Sequence, residues 1–139
     1  MSHFATIKAK LTDRAALIAA LEKLFNVLPE VHMNPVKIQG WYRDGSSDNM
    51  ANIVVRAKDI APTAQPDLGF LWNSETKEYD MLMDDGFSGI RIPNFPQELV
   101  KQYQIALLTR ELGSEKEVVE VPASGDGAVR FQIRDKVLA

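Results

Sequence analysis

Cysteine is missing from the chain and histidine occurs only twice. The first absence excludes disulfides, thiolate metal sites and a cysteine nucleophile. The second leaves too few imidazoles for a multi-histidine zinc centre. A basic surplus is missing too: 16 Lys and Arg stand against 19 Asp and Glu, a formal charge of −3. Neutralising phosphates supplies most of a nucleic-acid binder's affinity, so nucleic acid is disfavoured as a partner. Long apolar runs are absent as well. The longest, Ala15 to Leu21, falls far short of the roughly 20 residues that span a bilayer. Lys8 and Lys10 interrupt the start where a signal peptide would need its apolar stretch. These absences lead us to expect a soluble protein of the cytoplasm, or of an equivalent compartment such as a plastid stroma, with no membrane partner.

What is present suits one folded domain spanning 1–139. The chain is 45% hydrophobic and 25% charged, and its 139 residues suffice for a single sizeable core. Alternation over residues 3–11 predicts a first strand with His3, Ala5, Ile7, Ala9 and Leu11 on one face. Thr12 or Asp13 then caps a helix whose stripe is Leu17, Ile18, Leu21, Leu24, Phe25 and Leu28, stopped by Pro29. Two hairpins follow, Val36–Tyr42 with Met50–Lys58, and Leu68–Trp72 with Lys77–Met83. In the second, Leu68, Phe70 and Trp72 share one face and Tyr79, Met81 and Met83 share the other arm's matching face. A second helix begins at Asn94, with Asn94 and Gln97 at capping-box spacing, and ends at Gly113. A last hairpin joins Val118–Val121 to Ala128–Arg134. This order predicts an α+β domain, a mainly antiparallel sheet with two helices packed on one face, with a ferredoxin-like variant as the candidate topology.

Few residues carry recognisable chemistry. Asp84-Asp85-Gly86 follows a strand, and paired carboxylates are usual donors for Mg²⁺ or Ca²⁺, or for general acid–base work. Neighbours at a strand end point to opposite sides, however, and the Ca²⁺-loop spacing is absent. The segment reads as a solvated turn. His3 reads as a packing residue. A retained Met1-Ser2-His3 terminus would suit Cu(II) or Ni(II), but small Ser2 favours removal of Met1. His32, between Pro29 and Pro35, falls in an expected loop with nothing ligand-like around it. No Gly-x-Ser-x-Gly motif and no phosphate-cradling loop occurs. Trp41, Tyr42, Trp72 and Tyr79 could form an aromatic platform, which the missing basic excess turns toward packing or a protein contact. No metal, cofactor or catalytic set is expected.

The opening Met1-Ser2-His3-Phe4 with Ile7 and Lys8 resembles the hypothetical chloroplast open reading frame thirty-five family. The stretch Asp67-Leu68-Gly69-Phe70 with Trp72-Asn73 and Tyr79 is similar to that family's central hairpin. Gln102-Tyr103, Asp126-Gly127, Val129 and Arg130 fit as well, whereas 29–49, 86–93 and the tail after Arg134 depart from the pattern. The family is a domain of unknown function of algal plastids, cyanobacteria, other bacteria and cyanobacterial phages. The resemblance implies no activity, cofactor or catalytic residue. Such genes often sit beside a AAA+ ATPase and a small ferredoxin in bacteria, which implies an accessory role in assembly or remodelling.

Two functional expectations result. The first is a non-catalytic interaction module that binds a protein partner, or a second copy of itself, through the other apolar stripe of the second helix. That stripe is Ile105, Leu108 and Leu112, a patch monomers rarely leave bare. The second is a small-ligand or metal-dependent enzyme with a pocket near His3, Trp72, Tyr79 and Asp84. It requires the first strand to lie beside the central hairpin.

Overall fold

In the computed structural model, residues 4–40, 49–62, 66–84, 89–113, 116–121 and 130–135 are described, with the backbone alone for 4–9 and for the last two stretches. Strand β1 (Phe4–Leu11) runs into helix α1 (Arg14–Phe25). Asp13 is the N-cap: its Oδ1 accepts the Ala16 N–H at 2.9 Å, satisfying one of the free amides of the first turn. The helix buries Ala16, Leu17, Ala20 and Leu21. It stops before Pro29, because Asn26 takes the left-handed conformation (φ 57°) and returns its N–H to the Glu22 carbonyl at 2.8 Å. Leu28 therefore lies beyond the stripe predicted for it, 67% exposed.

The next strand departs from expectation. β2 spans Glu30–Lys37, so His32 is in a strand and not a loop, while 41–48, where the expected strand and turn continued, lie outside the described residues. The prolines explain the misreading. β2 is an edge strand, and Pro35 lies where its register against the next strand, β3 (Met50–Val55), shifts between Val31 and Val36. An edge or a bulge is where a residue without an N–H does little harm. β3 ends before Lys58 because Ala57–Ile60 forms a short helix, α2, whose first N–H is bonded by the Asp67 carboxylate at 2.8 Å.

The central hairpin follows its sequence pattern. β4 (Leu68–Asn73) and β5 (Glu78–Asp84) pair antiparallel, with Leu68 opposite Met83, Phe70 opposite Met81 and Trp72 opposite Tyr79. Asn73 shapes the turn, its Oδ1 accepting the N–H groups of Glu75 and Thr76. The five strands lie in the order β1-β5-β4-β3-β2, every pair antiparallel. β1 is thus beside the central hairpin, and β1 and β2 run the same way at opposite edges. That is not the ferredoxin-like arrangement: three strands stand between β1 and β2, and helix α3 (Phe95–Leu112) leads, among the described residues, to no further strand of this sheet.

One face of the sheet carries both long helices. Ile53, Val55, Leu68, Phe70, Tyr79, Met81 and Met83 meet Leu17 and Leu21 of α1 and Phe95, Leu99 and Tyr103 of α3 in a common core. Asn94 precedes α3 in a left-handed conformation and makes no side-chain cap bond, so the expected capping box does not form. α3 is instead held by its tertiary contacts. Its Tyr103 hydroxyl accepts the N–H groups of Thr12 and Asp13 at 3.0 and 2.9 Å, and Arg110 grips both oxygens of Asp13 at 3.0 and 2.6 Å. A smaller core on the opposite face joins Ile38, Ala51, Val54 and Leu82. β6 (Lys116–Val121) and β7 (Arg130–Asp135) form a separate antiparallel pair, with β6 against α3.

Candidate functional site

Two irregularities shape one end of the helix-bearing face. In β1 the register against β5 shifts between Ile7 and Leu11, with Lys10 at φ 54°, and this sets Leu11 opposite Tyr79. Thr12 and Arg14 consequently start α1 beside the open end of the central hairpin. In β2 the stretch 32–35 is set against Asn52 of β3 alone. The Asn52 side chain fills the interrupted ladder. Its amide nitrogen donates to the carbonyls of His32 and Met33 at 3.1 and 3.2 Å, and its oxygen accepts the Trp72 N–H at 3.0 Å. One polar side chain thus ties three strands where backbone partners are out of register.

Between these features lies a cleft of about 340 Å³, lined by Thr12, Arg14, Val31, His32, Met33, Asn52, Ile53, Trp72 and Tyr79. The aromatic pair forms its floor. Trp72 and Tyr79 meet edge to face, ring centres 4.9 Å apart at 67°, a favoured aromatic geometry. Trp72 remains 40% exposed and Met33 is 90% exposed. Burial pushes the Tyr79 hydroxyl above its usual pKa, Arg14 opposes that shift and Asp13 adds to it, so Tyr79 is a protonated donor at neutral pH. A charged network closes the rear of β2. Glu30 accepts Arg56 Nε and Nη2 at 2.8 and 2.9 Å and bonds His32 Nε2 at 3.0 Å. Arg56 Nη1 also reaches Asp67 at 3.0 Å. The Arg56 bonds, with a smaller part from His32, hold the Glu30 carboxyl down at about 2 against the opposing effect of burial. Asp67 is 3% exposed, and its other bonds go to the N–H groups of Gln39 and Ala57 at 2.8 Å each, so it clamps three segments together.

The residues proposed from sequence do not all gather here. Trp72 and Tyr79 do. Asp84 ends β5 opposite Phe4, five residues beyond Tyr79, about 17 Å along the strand at ~3.4 Å per residue. It is 4% exposed and not part of a solvated turn; Asp85, Gly86 and His3 lie outside the described residues. Ile105, Leu108 and Leu112 are half-buried on α3, while among the described residues the large apolar side chains that stand exposed are Leu28, Val31, Met33, Met50 and Trp72. Sequence reasoning missed Val31, His32, Met33 and Asn52 as one group. The available signal was Asn52, a polar residue inside the run Met50–Val55, facing a proline-bearing strand.

Chemically the cleft presents an apolar lip, an aromatic floor and a few donors. That is a binding surface in composition. Among the described residues no three His, Asp or Glu side chains are grouped to hold a metal ion. No helix among them is long and apolar enough to cross a membrane. No family model matches the chain, and no curated protein or solved structure matches it either.

Proposed function

We propose that this protein is a non-catalytic interaction module, an adaptor or assembly accessory, and that it docks a protein partner at the cleft between β2 and the central hairpin. The observation that carries this reading is Met33. A long, pliable apolar side chain stands 90% exposed on an edge strand, beside exposed Val31 and Trp72, with little packing against the described residues. Methionine and tryptophan at a cleft mouth are the side chains that adaptable interfaces use as anchors. The resemblance to the chloroplast open reading frame thirty-five family supports an accessory role, in a plastid, cyanobacterial or phage setting and with a AAA+ ATPase as a candidate partner. The competing face is the Ile105, Leu108 and Leu112 stripe of α3, through which the chain would associate with a partner or with itself.

Co-purification from native host lysate, with light scattering on the same preparation, separates the two faces. Met33→Ser combined with Trp72→Ser should release the partner while leaving the fold intact, and Leu108→Asp should retain it. Release by Leu108→Asp alone, from a protein that stays folded, moves the docking face to α3.

A second reading has one observation behind it. The Tyr79 hydroxyl opens on the cleft without a hydrogen bond among the described residues, and about 340 Å³ admits a small ligand. A thermal-shift screen over metabolites and divalent metals tests it. Ligand at 100 times its Kd should add about 2.7 kcal/mol, and a flat screen removes the reading.

A further inference from the structure

Of the two residues lining the cleft that can carry positive charge, His32 is bonded and, among the described residues, Arg14 is not. Asp13 is held by both Arg110 nitrogens, and Glu30 by Arg56 and His32. Three backbone donors at the start of α1 are also occupied: Tyr103 takes those of Thr12 and Asp13, and Asp13 takes that of Ala16. Arg14 lines the cleft, is exposed, and makes no hydrogen bond or ion pair among the described residues. Arg14 and Tyr79 line the same cleft, and the Tyr79 hydroxyl makes no hydrogen bond among the described residues, whereas the Thr12 hydroxyl lies 3.4 Å from that of Tyr103. The site therefore combines an unpaired cation and an O–H donor with an apolar wall of Val31, Met33 and Trp72. A cation left over where its neighbours' charges cancel favours an anion.

We propose that the partner segment docked here carries a carboxylate next to a large apolar side chain, the carboxylate meeting Arg14 and the Tyr79 hydroxyl while the apolar group sits against Met33 and Trp72. This inference rests on the docking reading above and names the chemistry of what docks. Arg14 is the specificity determinant; the apolar lip supplies the contact area. A guanidinium also suits a carboxylate geometrically, since it can offer two parallel donors.

The test is a titration of the full chain followed by NMR at the Trp72 indole and the Met33 methyl. The probe is acetyl-Gly-Leu-Glu-Gly-amide, compared with its Gln counterpart and with phenylacetate. The Glu peptide should bind about threefold to fivefold more tightly than the Gln peptide, as a solvent-exposed ion pair allows. That difference should vanish in Arg14→Gln and persist in part in Arg14→Lys. Equal binding of the two peptides to the wild-type chain overturns the carboxylate assignment and leaves the docking reading standing. Phenylacetate binding as tightly as the Glu peptide assigns the site to free acids and overturns the protein-segment assignment. Binding of neither peptide overturns this inference, and the docking reading is then decided by the Met33 and Trp72 variants in co-purification.

Discussion

Asn52→Ala should loosen the cleft without unfolding the chain. The Asn52 amide makes three hydrogen bonds to backbone groups of β2 and β4, at 3.0 to 3.2 Å. Each neutral bond contributes roughly 0.5–1.5 kcal/mol net. The Trp72 and Met33 bonds are exposed and the His32 bond is part-buried, so water replaces much of what is lost. The expected cost is about 1–2 kcal/mol, or a Tm lower by about 3–8 °C for a chain of this size. Asn52→Asp sharpens the argument. The carboxylate can still accept the Trp72 N–H, but it faces two carbonyl oxygens to which it cannot donate. It should destabilise at least as much as Asn52→Ala despite its near-identical shape. Urea unfolding measures both, the midpoint falling with an unchanged slope. The amide resonances of Met33 and Trp72 should move most. If Asn52→Ala falls within about 0.3 kcal/mol of wild type, or Asn52→Asp is the more stable of the two, the amide does not organise this end of the sheet.

Three further outcomes are expected. Gly69→Ala would place a Cβ 2.7 Å from the Ala51 Cβ and 2.9 Å from Ile38 Cδ1, in the smaller core, and should cost about 1–3 kcal/mol by urea unfolding. Tyr103→Phe removes the acceptor for two N–H groups at the start of α1 and should cost about 1–3 kcal/mol, with faster amide exchange at Thr12 and Asp13. The Glu30 carboxyl is depressed from 4.5 to about 2 by its Arg56 bonds, so its contribution is fully present above pH 4.5 and is lost as the pH falls toward 2. Glu30→Gln should therefore lower stability most at neutral pH and flatten the acid limb, the two proteins converging as the pH falls toward 2; an unaltered acid limb would mean the Arg56 bond does not persist in solution.

Legibility in the sequence followed periodicity. The faces of β4 and β5 were readable because strict alternation sorts Leu68, Phe70 and Trp72 against Tyr79, Met81 and Met83, and the register pairs those sets. α1 was readable from its stripe and from Asp13, whose short carboxylate suits a cap. Its end was not, because Pro29 drew attention away from Asn26, one of the few residue types that tolerate a left-handed φ. β2 was misplaced because proline normally argues against a strand, and only tertiary position shows that this strand is an edge with a bulge. The strand order depends on long-range pairing that no local pattern encodes.

The candidate site was half legible for the same reason. Trp72 and Tyr79 follow from hairpin alternation alone. Arg14, Met33 and Asn52 reach them through two register shifts, and neither shift leaves a periodic trace. Asp67 was visible only as an element of a resemblance, and Tyr103 as that and as a member of the second helix's main apolar stripe, Phe95, Leu99, Val100, Tyr103, Ala106 and Leu107. In the fold one is a buried clamp and the other the clasp between α1 and α3.

The most direct measurement places a benzoylphenylalanine photo-crosslinker at position 33 in one variant and at position 108 in another, each expressed in the native host. Docking at the cleft requires a defined crosslink from position 33 that disappears with Trp72→Ser, and none from position 108. A crosslink from position 108 alone would contradict the account and return the interface to α3.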